Sequence, residues 1–284
     1  MVKDYIKKWK ISATLRDKVV AYLNKDESRK GYYTITISGT GAMKSYKYGK
    51  CPWYKTLYRE KISRAIIEEG ITVVGQRAFE GCTSLEEVTI PSTVNRLVAF
   101  CFNDCKSLKK AKIPEGVAKI GTMTFGGCSA LETVELPSTL ESTGFAAFRD
   151  CVSLREIKLP RGLTELNSTT FYGCKSLCEI ELPRSLETIG DWAFSYTNLK
   201  KVIIPDNVRT IGEYSFCFCK GLLEIVIPEY VEKIGDFTFD SCHQLTIRCE
   251  AKEKPSGYGE NWNKDERPVV WGHGIIRNIK RIND

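Results

Sequence analysis

The chain has 284 residues, 42 Lys+Arg against 35 Asp+Glu, two histidines and twelve cysteines. No apolar run reaches the roughly 20 residues that a membrane helix needs, and no glycine loop of a phosphate-cradling type occurs. Residues 1–66 hold 16 Lys+Arg against 5 Asp+Glu, so the excess positive charge lies at the N-terminal end.

The first ten residues, MVKDYIKKWK, are basic but are followed by no apolar stretch, so the chain as written is expected to stay in the cytoplasm. Removal of an export signal would instead make it secreted or surface-bound. Residues 3–28 read as a helix: Leu15, Val19, Val20 and Leu23 share one helical face, and Thr14 or Ser12 is a suitable cap. The run YYTITISG reads as a strand, ended by a turn at Gly39 and Gly41.

Residues 44–61 interleave Lys44, Lys47, Lys50, Lys55 and Arg59 with Tyr46, Tyr48, Trp53, Tyr54 and Tyr58. Aromatics among cations can stack bases while the cations meet phosphates, which is a polyanion or nucleic-acid reading. The plainer reading is a capping loop whose Trp53 plugs the end of a core.

From Ile67 to Cys249 the chain repeats with a 23-residue step. Phe79, Phe102, Phe125, Phe148, Phe171, Phe194, Phe216 and Phe239 hold one column, and Leu85 through Leu245 hold another. Such self-similarity marks a solenoid, in which each coil buries its apolar face against its neighbours. The segment L-x-x-V/I-x-I/L-P reads as a short strand, because its apolar residues alternate and proline has no N–H to continue a ladder. Gly75, Gly121, Gly144, Gly190, Gly212 and Gly235 recur at a turn; a positive φ and close packing are both open explanations, since Asn167 suits the first and Val98 does not.

Outward strand positions alternate in sign along most of their columns, as in Lys109–Glu132–Arg155 and Lys112–Glu135–Lys158, which suits register specification. The last coils break this pattern with Ile203, Leu223 and Val226; either they form an exposed binding patch or the C-terminal segment covers them. Two residues after the turn glycine, Trp192, Tyr214 and Phe237 form an aromatic ladder, fit to grip a peptide or sugar or to pack on the outer side of the coil. Trp262 and Trp271 are placed to cover the final coil; the tail that follows is short and basic.

Seven cysteines, Cys82, Cys105, Cys128, Cys151, Cys174, Cys219 and Cys242, share one column, with Thr197 in the eighth place. They read as a buried ladder of free thiols, which favours a reducing compartment. His243 and His273 form no grouping with a nucleophile and a carboxylate, so no catalytic residue is expected. Cys217, Cys219, Cys242 and His243 lack the spacing of a zinc site, and no metal or other cofactor is expected.

The repeated IG-x-x-AF-x-x-C-x-SL-x-x-V-x-IP units, with TITISGTGAMKSY before them and EAKEKPSGYGENWNKDERPVVWG after, resemble the BspA-like bacterial leucine-rich repeat family (LRR_5 type). The resemblance implies a right-handed α/β-type leucine-rich-repeat solenoid, a parallel β-sheet of about 23-residue coils. It divides into a helix-and-β cap over 1–66, eight repeats over 67–249, and a cap and tail over 250–284. The expected function is non-catalytic binding of a protein partner through the sheet face and the apolar C-terminal coils. A surface adhesin binding host proteins is one version that the resemblance suggests. The sequence does not indicate an oligomeric state.

Overall fold

The computed structural model describes residues 5–272. His273 and most of the basic tail lie outside those residues.

The chain starts as a sheet, not as the expected helix. Strand β1 (Lys7–Lys10) pairs antiparallel with β2 (Lys18–Lys25), which pairs antiparallel with β3 (Tyr33–Ala42). The helical reading fails because KVVAYLNK also carries a period of two. Val19, Ala21 and Leu23 are fully buried, with Val20 and Tyr22 between them on the other face. Two adjacent β-branched valines favour that pleated arrangement. Leu15, counted on the helical face, stands wholly exposed in the β1–β2 turn. The supposed cap Thr14 closes that turn: its N–H and hydroxyl both donate to Asp17 Oδ2 at 2.8 Å. The only helical turn among the described residues is the 3-10 turn Arg59–Lys61.

Strand β3 forms the first coil of a parallel solenoid. Its first half pairs with β4 (Ile62–Ile67) and its end with β5 (Ile71–Val74). Each later coil repeats this pair of strands at a corner. One wall is built from segments such as Lys110–Lys112, Thr133–Glu135, Lys201–Ile203 and Glu224–Ile227. The other is built from Glu165–Leu166, Thr188–Ile189, Thr210–Ile211 and Lys233–Ile234. All pairings between coils are parallel. Proline stands at the corner, and its carbonyl accepts the N–H three residues on, as from Val94 to Pro91 at 3.1 Å and Leu186 to Pro183 at 3.0 Å.

The core is a stack. The eight phenylalanines lie ring on ring, at 5.3 Å and 2° for Phe79–Phe102 and 5.7 Å and 1° for Phe125–Phe148. The stack is closed at both ends by tryptophan. Trp53 is 1% exposed and sits 5.9 Å from Phe79, which fulfils its reading as a plug; Trp262 meets Phe239 edge-on at 6.0 Å, backed by Trp271. Alongside runs the thiol ladder. Eleven of the twelve cysteines are buried, Cys178 being partly exposed, and all are free.

The two explanations for the turn glycines are decided by geometry. None of the six has a positive φ. A Cβ on Gly144 would instead lie 2.5 Å from the Gly121 carbonyl carbon, and one on Gly190 would lie 2.5 Å from the Ser168 nitrogen. Close approach of neighbouring coils therefore selects glycine. The left-handed residues stand two positions later, from Arg77 (φ 58) and Phe100 (φ 61) to Trp192 (φ 58), Tyr214 (φ 53) and Phe237 (φ 55). The backbone N–H of each donates to the next coil, as from Trp192 to the Glu213 carbonyl at 2.9 Å. Such a conformation costs a non-glycine residue about 1–2 kcal/mol, which the inter-coil bonding and stacking offset.

Candidate functional sites on two walls of the rod

The residues singled out in the last coils fall on different walls. Ile203, Leu223 and Val226 lie on the first wall. Parallel register sets Ile203 beside Val226, Val226 beside Arg248, and Arg248 beside Val270. The C-terminal segment does not cover this surface: Ile203 is 60% exposed, Leu223 50% and Val270 39%, with Val226 half-buried. The segment instead adds the strand Val269–Val270 to the sheet and so extends the patch.

The patch is not continuously apolar. Between Leu223 and the Ile203–Val226 pair lies Glu224, which binds Lys201 Nζ and Arg248 Nε, both at 3.3 Å. Apolar side chains flanking a satisfied ion triad form a surface that can shed water without leaving a lone buried charge. Elsewhere on this wall, opposite charges also meet between coils, as Lys112–Glu135 and Arg64–Glu87 do at 3.2 Å. A shallow depression of about 540 Å³ lies further along, bordered by Glu135, Leu136, Lys158 and Arg161.

Trp192, Tyr214 and Phe237 follow the second wall. Each is half-buried, and they stack at 4.1 Å and 5.0 Å between centroids. Three further aromatics escaped the sequence reading: Tyr196 and Phe218 stack at 4.6 Å, and Tyr172 packs tilted against both Trp192 and Tyr196. A signal for two of them exists in the sequence. Gly81, Asp104, Gly127, Asp150 and Gly173 occupy a column that reads as left-handed, and Tyr196 (φ 60) and Phe218 (φ 56) continue it. Side chains at such an outer bend face away from the core.

In the N-terminal cap Lys44, Lys47, Lys50 and Lys55 are exposed. Arg59 is half-buried, pairs with Glu60 at 3.2 Å and lies 4.2 Å above the Tyr54 ring. Trp53 and Tyr46 are inside the core and have no face for a nucleobase; Tyr48 is the one strongly exposed aromatic in that interleaved stretch. Lys44 also borders a depression of about 520 Å³ with Lys10 and Asp17.

Cys217 lies 3.7 Å from Asp240 Oδ2, while Cys219 and Cys242 belong to the buried ladder and His243 is exposed. No group of three His, Cys, Asp or Glu side chains converges among the described residues. Burial pushes the Cys82 and Cys249 thiols up to about 12, which disfavours the thiolate that metal binding requires. Among the same residues no helix is long and apolar enough to cross a membrane.

The family described as BspA type leucine rich repeat region matches residues 54–168 and 143–252, in six copies. Among solved structures, a leucine-rich repeat protein from Bacteroides ovatus is 21% identical with a TM-score of 0.50, over 88% of this chain and 98% of that one. This likeness shows a shared fold. A leucine rich repeat protein of T. pallidum is 26% identical, with a TM-score of 0.47 over 78% of this chain and 86% of its own. A leucine rich cell surface protein from Faecalibacterium prausnitzii is 20% identical, with a TM-score of 0.35 over 80% and 86%. No curated protein matches the chain.

Proposed function

The chain belongs to the BspA-type leucine-rich repeat family, and from that premise we propose that it is a non-catalytic module that binds a protein partner through the C-terminal part of its first wall. The observation that supports this most is the 60% exposure of Ile203 and 50% exposure of Leu223 on a rigid sheet where earlier coils carry charges. Exposed branched side chains on a preformed surface lose little conformational freedom on association. Val226, Arg248 and Val270 complete the surface, with arginine as the polar anchor typical of such interfaces.

Adhesion to other proteins at the cell surface is the setting this reading favours. The twelve free cysteines are no obstacle to it, because eleven are buried from oxidants. A pull-down with wild type and the Ile203→Glu/Val226→Glu double variant tests the patch. Partner proteins held by the wild type are expected to be lost from the folded variant. Equal recovery overturns the assignment.

A further inference from the structure

The second wall carries an unexplained surface of its own, and the inference drawn from it does not depend on the sheet-face reading. Asp191, Glu213 and Asp236 occupy one column on three successive coils, beside the Trp192–Tyr214–Phe237 stack. Like charges in neighbouring rungs repel. Elsewhere inter-coil ion pairs prevent this, as Arg209–Glu232 does on the same wall. Here none of the three carboxylates has an ion-pair partner among the described residues. Asp191 and Asp236 each accept a backbone N–H of the next coil with Oδ1, from Glu213 at 2.9 Å and Asn261 at 2.7 Å, which leaves Oδ2 uncommitted. Glu213 is exposed, and its carboxylate accepts no hydrogen bond among the described residues.

The rings beside these acids are stacked along the rod, so their faces cover one another and their edges point outward. A sugar, which needs a ring face, finds none in the middle of the stack. The chain's own cations take the ends: Arg149 lies 4.9 Å from the Tyr172 ring and Lys264 lies 4.9 Å from that of Phe237. Between these ends the wall offers aromatic edges for an alkyl stem and unpaired carboxylates for its charged head.

We propose that the acidic, aromatic wall formed by Asp191, Trp192, Glu213, Tyr214 and Asp236 binds a basic segment of a partner polypeptide. The three acids span two coil steps, about 10 Å, the reach of about three extended residues. Basic residues at alternate positions stand about 7 Å apart in an extended segment, within reach of long, flexible arginine side chains converging on acids about 5 Å apart. The chain's excess positive charge lies in residues 1–66, which repels such a segment from the N-terminal cap.

The test is calorimetric titration at low ionic strength with a short peptide alternating arginine and glycine. Wild type is expected to bind it and not its glutamate–glycine counterpart. The D191N/E213Q/D236N variant keeps each Oδ1 acceptor and so the fold, checked by circular dichroism and melting; it is expected to bind at least ~10-fold more weakly. E132Q/E156Q/E179Q, which changes the net charge equally at exposed sites outside the second wall, and the Ile203→Glu/Val226→Glu variant are expected to bind like wild type. No binding by the wild type, equal binding by the first variant, or equal loss in the charge-matched one overturns the proposal. So does concentration-dependent self-association of the free protein that the first variant abolishes, because the occupant is then the basic cap of a second copy.

Discussion

A thiol in this interior acts as a hydrogen-bond donor that joins two coils. Cys128 Sγ donates to the Phe102 carbonyl at 3.1 Å, Cys151 to Phe125 at 3.2 Å and Cys242 to Phe216 at 3.0 Å, each one coil back. Each of those carbonyls also accepts an N–H within its own coil, so the thiol occupies its second lone pair. Burial disfavours the thiolate at Cys105 and Cys151. Ellman's reagent is therefore expected to modify one thiol quickly in the native protein, Cys178, and all twelve in denaturant; rapid reaction of the ladder would contradict the structure. The turn glycines make a second residue-scale test. Gly144→Ala drives a methyl into the backbone of the coil below and is expected to cost about 1–3 kcal/mol in urea unfolding. Gly116→Ala meets open space and bears only the strain of its positive φ, about 1 kcal/mol. At the cap, Asp26 takes hydrogen bonds from Ser28 and Ser63, which hold its carboxyl below the usual value. Its stabilisation is present above the unfolded pKa and is lost as pH falls through the lower folded one. The melting-temperature gap between wild type and Asp26→Asn is thus expected to close below about pH 4.

At the scale of the element, what was legible in the sequence depended on whether contacts recur. Every coil meets the next at a nearly fixed separation, so Phe125 and Leu131 could be placed inside from their columns alone, and both are fully buried. The cap has no such echo. Its KVVAYLNK run satisfies a period of 3.6 and a period of two equally well, and pairing with β3, a tertiary contact, decides between them. The aromatic wall was half visible for a similar reason. Trp192, Tyr214 and Phe237 share a column, whereas Tyr172, Tyr196 and Phe218 join them only through the bend of the coil. The apolar first-wall patch was seen without Val270, because nothing in the C-terminal sequence announces that Val269–Val270 enters the sheet. The cap's energetic role follows from Trp53, which presents one ring to Phe79 and another contact to Trp9. Trp53→Ala removes the end of the stack and is expected to lower stability by about 3–5 kcal/mol; a thermal melt unchanged within a degree would show that the cap is dispensable.

For the whole molecule the decisive property is that the rod is coupled in one dimension. Among the described residues, coils separated by two or more steps share no strand pairing, so cooperativity passes through adjacent interfaces. The position of a defect should then matter more than its size. Phe148→Ala opens a cavity between coils near the middle, removing stacking on Phe125 and Phe171 at 5.7 Å and 5.6 Å. Phe239→Ala removes the same ring near the end, where Phe216 stacks on one side and the Trp262 cap meets the other. Each loses about 3–5 kcal/mol of local contact. The central variant divides the rod into two halves that unfold separately, because the damaged interface no longer transmits the order of one half to the other. The terminal variant shortens the cooperative unit without splitting it. Hydrogen exchange across a urea series distinguishes these outcomes. Phe148→Ala is expected to give two groups of amides with different midpoints, divided near that coil. Phe239→Ala is expected to give one group whose midpoint is lowered, with faster exchange confined to the C-terminal coils. Identical single transitions for both variants would mean that the coils are bound into a unit by something other than their nearest-neighbour stacking.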